Sequence, residues 1–280
     1  PISFYEPEAF NWLRGFHGGL MTTCGLVHAG WPAEDEGRTY GLHGRASYTP
    51  ASNVVTDGYW DGDEYVIFAQ GKVREAIVFG EHLELIRRIW TRLGERRLFV
   101  HDRIVNKGFE RTPLMLLYHC NIGFPIVDEG AELIAPSIEV TPRDDIAASG
   151  LEEHNQVSAP QPNYKEQVFF HKLGATQDGN TVVAMVNPHL MDGQGLGVYI
   201  RFNTAELPQM VQWKMMGEST YVVGLEPTNL TIVDRIEAKE QGVLPYLESG
   251  EEREFHLEIG VVHGADEINA LRTEVANLKG

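Results

Sequence analysis

Short runs in which apolar and polar residues alternate, broken by glycine-containing turns, recur along most of the chain. Residues 64–70 and 98–106 alternate position by position, so that Leu98, Val100, Asp102 and Ile104 share one face. Further short apolar or alternating runs occupy residues 182–186, 198–202, 221–225 and 255–262. Gly71-Lys72, Gly80-Glu81 and Gly94-Glu95 mark turns between the early runs. Many short strands separated by tight turns predict an all-β sandwich or barrel.

Two segments carry a helical period instead. Leu83, Ile86, Trp90 and Leu93 recur at helical spacing, with charged residues opposite, and this periodicity fits a helix over residues 81–92. The flanks are turn-like and the neighbours are strands, so a helix and a long exposed strand both fit that stretch. The tail is plainer: from Asp266 onward, Ile268, Leu271, Val275 and Leu278 form one apolar stripe, which predicts a short terminal helix laid on a sheet. Residues 141–164, with Pro142, Gly150, Pro160 and Pro162, read as a long surface loop within one sandwich rather than a linker, giving a single domain over residues 1–280.

Composition narrows the function classes. The 280 residues include 23 Lys and Arg against 40 Asp and Glu, a formal net charge of −17. Such a surface repels phosphate backbones and anionic lipid, which argues against nucleic-acid and membrane partners. No apolar run reaches the roughly 20 residues a bilayer span needs. Cys24 and Cys120 are the only cysteines, too few for a disulfide framework, so a cytoplasmic location is expected.

Motifs for nucleotide and cofactor binding are missing. There is no phosphate-binding loop and no nucleophile elbow. His17-Gly18-Gly19 and the run Gly193-Gln194-Gly195-Leu196-Gly197 lack the strand-then-helix setting of a dinucleotide site and read as turns. Four polar pieces stand out instead. In Tyr40-Gly41-Leu42-His43-Gly44-Arg45, an extended backbone would send His43 and Arg45 to one face, where they suit hydroxyls or a carboxylate; a solvated surface turn is the plain alternative. An apolar strand at 116–122 delivers His119 and Asn121 to one face before Gly123 and Pro125 break it. Glu226 follows an apolar strand and precedes Pro227, as a loop cap or a positioned base. His171 closes a buried-looking run. Two or three histidines with a carboxylate are the inventory of proton transfer. They also suffice to ligate zinc or iron, but no pair has the short spacing of a metal motif, so neither a metal nor another cofactor is expected.

With these stretches the sequence resembles the aldose 1-epimerase (galactose mutarotase) superfamily, in a divergent aldose 1-epimerase-like branch. The resemblance is carried by residues 18–25, 40–45, 117–125 and 224–229, and by the late stretch 247–251. It implies a galactose mutarotase-like β-supersandwich with a sugar cleft, beginning a strand or two into the family's fold, and it tips residues 81–92 toward a strand. It implies His119 as the acid that protonates the ring oxygen and Glu226 as the base that takes the anomeric proton. His43, Arg45, Asn121 and His171 become substrate-binding candidates; Asp178 and Asp192 stand nearest the family's substrate-binding aspartate. His119 is followed by Cys-Asn-Ile-Gly, where the usual enzymes carry an aromatic-Asn pair.

Three functions are compatible with that inventory. The first is a mutarotase or related epimerase acting on a monosaccharide without metal or nucleotide. The second is an isomerase of a sugar acid at another carbon, held by Arg45 or Arg111. The third is a non-catalytic carbohydrate-binding module, for which an acid–base pair has no use. Trp31, Trp60 and Trp213 could stack on a sugar face in any of them, or fill the core.

Overall fold

The structure, a computed structural model, describes residues 8–16 and 18–278; His17 lies outside them. The strands in chain order are β1 (Thr22–Cys24), β2 (Ala33–Asp35), β3 (Arg38–Tyr40), β4 (Ser52–Asp61), β5 (Glu64–Ala76), β6 (His82–Arg92), β7 (Arg97–Asn106), β8 (Thr112–Pro113) and β9 (Leu117–Gly123). They continue with β10 (Glu132–Ile134), β11 (Ser137–Pro142), β12 (Gln167–Leu173), β13 (Asn180–Asn187), β14 (Leu196–Asn203), β15 (Gln209–Met216), β16 (Tyr221–Thr228), β17 (Tyr246–Leu247) and β18 (Glu252–His263). Helical structure is confined to single turns, to α1 (Asp145–Ala148), α2 (Leu190–Gly193) and α3 (Arg235–Glu240), and to the terminal α4 (Ala265–Leu278). The protein is all-β with a short C-terminal helix.

The chain divides into two compact units, each drawing on two stretches. The first runs to Tyr118 and takes in Thr228–His256; the second comprises His119–Pro227 and the chain from Leu257. Residues 141–164 lie wholly inside the second unit, in the end of β11, α1, a short 3-10 turn and irregular chain, so they are not a linker between units.

In the first unit β4, β5, β6 and β7 form an antiparallel ladder, with Leu85 opposite Val73 on one side and Ile104 on the other. The helical period of residues 81–92 is thus overridden. As a strand, β6 sends Leu83 and Leu85 into the core and turns Ile86 and Trp90 to the opposite face. There Trp90 stacks on Phe99, ring centroids 4.0 Å apart. Glu84, buried between the two leucines, is matched by Lys72 at 3.3 Å and Arg74 at 2.9 Å on β5. Both faces of the strand are partly covered, so its apolar residues follow no simple two-residue alternation.

Gly71-Lys72 is not a turn: β5 runs straight through it, with Gly71 opposite Arg87. The turn readings at Gly80-Glu81 and Gly94-Glu95 hold. On β7, Val100, Asp102 and Ile104 are buried together as their alternation predicts.

In the second unit β13 lies between β10 and β14, and residues 257–263 of β18 continue that ladder beyond β14. A second ladder places β12 between β11 and β15, with β16 beside β15. Helix α4 buries Ile268, Leu271, Val275 and Leu278 against Val182, Ala184 and Val186 of β13. These four are the stripe legible in the sequence, and their removal from water is what holds a helix of this length in place.

Candidate active site

His119 and Asn121 stand on β9, whose odd positions from 117 share a face. Glu226 stands on β16, which does not stop at it but continues through Pro227 to Thr228. Glu226 is therefore an interior strand residue, not a strand-end cap. Both side chains are buried, and His119 Nε2 lies 3.1 Å from Glu226 Oε1. No sugar ring fits between atoms that close.

The contact is buried, and the charged group that bears on its carboxyl is another carboxylate, Glu166. Burial pushes the Glu226 carboxyl up to about 8, and the negative Glu166 pushes in the same direction. Burial likewise pushes the His119 imidazole down to about 4, against the upward pull of its hydrogen bond with the Asn121 side chain. Both shifts favour the uncharged pair at neutral pH, a protonated carboxyl beside a neutral imidazole. Asn121 also ties its own strand, its Nδ2 donating to the His119 carbonyl at 3.1 Å.

Three neighbours complete the setting. The Trp213 indole on β15 meets the His119 ring edge-on, centroids 5.5 Å apart. Its Nε1 donates to Glu166 Oε2 at 2.9 Å, and Arg143 donates to the other oxygen of Glu166 at 3.1 Å. Gly224 keeps the space beneath the pair open: a Cβ there would lie 2.5 Å from Glu226 Oε1 and 3.2 Å from His119 Cε1.

Glu166, Arg143 and Trp213 were not singled out by sequence as partners of the pair. The available signal was the long loop at 141–164, since Arg143 lies in it and Glu166 follows it closely, and exposed loops on rigid sheets commonly carry function.

His171 has a different character. It is fully buried, with Nε2 3.0 Å from Gln212 Oε1 and Nδ1 2.8 Å from Ser137 Oγ. Burial pushes it down to about 4. With both ring nitrogens engaged inside the sheet, it fits a core histidine rather than a contact for substrate.

His43 and Arg45 belong to the first unit, and they are not in a strand. His43 takes a left-handed conformation with φ 57° and Gly44 follows with φ 70°. A Cβ at Gly44 would strike the His28 carbonyl oxygen at 2.1 Å, so this turn requires glycine. The His43 ring packs edge-on against Trp12, and its Nδ1 accepts from the Gly30 amide at 3.4 Å. Arg45 reaches Glu75 at 3.5 Å and Glu81 at 3.9 Å. Glu75 is buried and pushed upward by that burial, offset by the Leu26 and Val27 amides and by Arg45. The Arg45 guanidinium thus serves two carboxylates of its own unit. Arg111 is similarly engaged, 3.1 Å from Glu248 and stacked over Tyr246 at 4.0 Å.

Among the other sequence candidates, Trp31 and Trp60 are exposed, at 44% and 69%. Asp178 lies in the turn before β13 and Asp192 in the short α2 before β14, and both are exposed. No described helix is long and apolar enough to cross a membrane.

Comparison with known proteins extends these observations. A candidate aldose 1-epimerase from Klebsiella pneumoniae subsp. pneumoniae matches in structure with a TM-score of 0.90 and 29% identity, over 97% of this chain and 70% of that one. A galactose mutarotase-like protein from Clostridium acetobutylicum matches with a TM-score of 0.59 and 14% identity, over 87% of this chain and 79% of that one. A galactose 1-epimerase from Lactobacillus acidophilus matches with a TM-score of 0.55 and 12% identity, over 90% of this chain and 81% of that one. At such identities the last two show the shared fold alone. No curated protein sequence matches. Residues 1–261 match the family model described as a domain of unknown function, DUF4432. The chain belongs to the DUF4432 family, and its fold is that of the galactose mutarotase-like proteins.

Proposed function

We propose that the protein is a carbohydrate mutarotase or closely related epimerase, acting on a monosaccharide through His119 and Glu226. The observation that carries this reading is the buried 3.1 Å contact between an imidazole and a carboxyl that, among the described residues, no arginine or lysine compensates. Burying such a pair costs stability, and a purely structural role offers no return for it.

The chemistry follows from the single proton the pair holds. The anomeric hydroxyl and the ring oxygen of a pyranose are bonded to the same carbon. An adjacent acid and base can therefore address both from one side, and need not face each other across the ring. As the sugar ring opens, Glu226 takes the anomeric proton and His119 gives one to the ring oxygen; the C1–O5 bond breaks and a C1 aldehyde remains. For these roles the stored proton first crosses the 3.1 Å contact from Glu226 to His119. Rotation about C1–C2 and reversal of both transfers close the ring as the other anomer. No metal or nicotinamide enters this sequence. Activity is expected while the pair holds one proton, between about 4 and about 8, and to fall outside that range.

A sugar acid is less well supported, because Arg45 and Arg111, its candidate carboxylate clamps, already serve Glu75, Glu81 and Glu248. The test is proton NMR of anomer exchange over a panel of neutral aldoses, sugar acids and sugar phosphates. Glu226→Gln and His119→Asn should each lower turnover by roughly 10²- to 10⁴-fold, with a smaller effect on affinity. Near-normal turnover in both folded variants would refute the assignment.

A further inference from the structure

A second cluster, sharing no residue with the pair, has the chemistry of a metal site. His101 stands on β7, and Glu254 and His256 stand on its neighbour β18, two positions apart and hence on one face. One donor atom from each lies within 4.8 Å of the other two. His101 Nε2 is 3.5 Å from Glu254 Oε1. The two imidazoles lie against each other, centroids 4.4 Å apart and 21° from parallel.

Two further features point to a cation. His101 Nε2 is shielded from water yet makes no hydrogen bond, a costly state for a ring nitrogen unless something bonds it. The nearby arginines are also drawn elsewhere. Arg103 pairs with Glu252 at 2.8 Å, and Arg88, opposite His101 on β6, lies over the Phe68 ring at 4.1 Å.

We propose that His101, Glu254 and His256 bind one divalent transition ion of the zinc, nickel or copper class. Two imidazoles and one carboxylate suit these ions, whereas magnesium and calcium favour all-oxygen sets. Zinc–nitrogen bonds of about 2.0–2.1 Å in a tetrahedron hold donors roughly 3.3 Å apart. The present spacing of up to 4.8 Å closes by side-chain rotation. Glu254 and His256 are exposed, so that rotation disturbs no core. Three protein donors leave a further coordination position for water. The ion has no part in the acid–base step, so the site stands or falls apart from the proposed activity.

The test is calorimetric titration of metal-free, untagged protein with zinc chloride. One saturable equivalent is expected for the wild type, and none for the double variant His101→Gln/His256→Gln; Glu254→Gln should weaken binding. Magnesium chloride should give no saturable heat. Circular dichroism checks that the surface variants keep the fold. Absence of saturable zinc binding in the wild type, or unchanged binding in the double variant, would overturn the proposal.

Discussion

Tyr118 and His119 are consecutive residues of one strand, and they meet opposite fates. The Tyr118 hydroxyl donates to Asp102 Oδ2 at 2.8 Å, and Asp102 is fully buried. Its charge is matched by Arg87, which donates to both carboxylate oxygens at 2.8 and 2.5 Å and to Thr23 Oγ1 at 2.6 Å. One residue on, His119 meets Glu226 with no arginine or lysine among the described residues to compensate the acid. Both carboxyls are out of water. The first is bonded at both oxygens, whereas burial pushes the second up to about 8. A buried acid with its cation is architecture; a buried acid without one is left with a proton to trade.

Breaking the matched cluster should have the largest effect on stability. Asp102→Ala leaves the Arg87 guanidinium without its buried counter-charge and should cost about 3–5 kcal/mol in chemical denaturation. A loss within about 0.5 kcal/mol, the range of an ordinary surface change, would erase the contrast. Gly224→Ala places a methyl group against both members of the other pair and should cost about 1–3 kcal/mol through overpacking. Turnover in the anomer-exchange assay should fall by more than that stability loss explains. Equal activity would show that the pair tolerates being pushed apart.

The effect most specific to the unmatched acid is the pH dependence of stability. Folded Glu226 holds its proton to about 8, while the unfolded chain releases it in the ordinary carboxylate range. The folded state therefore binds more protons between those limits. The resulting stabilisation is complete below the unfolded value and is lost as the pH rises through about 8. Glu226→Gln keeps the shape of the protonated acid but does not titrate, so it should gain stability on the wild type as the pH rises toward 8. Parallel curves at all pH values would contradict a raised Glu226.

Much of this arrangement is legible in the sequence. The alternation in β7 names Val100, Asp102 and Ile104 as one buried face, and the stripe Ile268, Leu271, Val275 and Leu278 is the contact face of α4. His119 and Glu226 are recognisable as polar residues on apolar strands. The spacing of Leu83, Ile86 and Trp90 misleads, because β6 is partly covered on both faces and its neighbours impose an extended chain. Gly71 misleads for a related reason: long paired strands accept a glycine that local propensity would assign to a turn. The Glu166–Arg143–Trp213 set and the trio of His101, Glu254 and His256 are invisible to local patterning. The trio is assembled by strand pairing, and the other set by a loop that brings Arg143 and Glu166 to Trp213 on β15, in both cases from distant parts of the chain.

The protonation state of Glu226 decides most directly whether the second cluster differs in kind from the first. Carbon-13 NMR of the glutamate side-chain carboxyls, with Glu226 assigned by its absence in Glu226→Gln, follows that group through a pH titration. A carboxyl still protonated at neutral pH and titrating near 8, beside a His119 ring that stays neutral down to about 4, is the predicted result. A Glu226 that ionises at about 4.3, the unperturbed glutamate value, would contradict it.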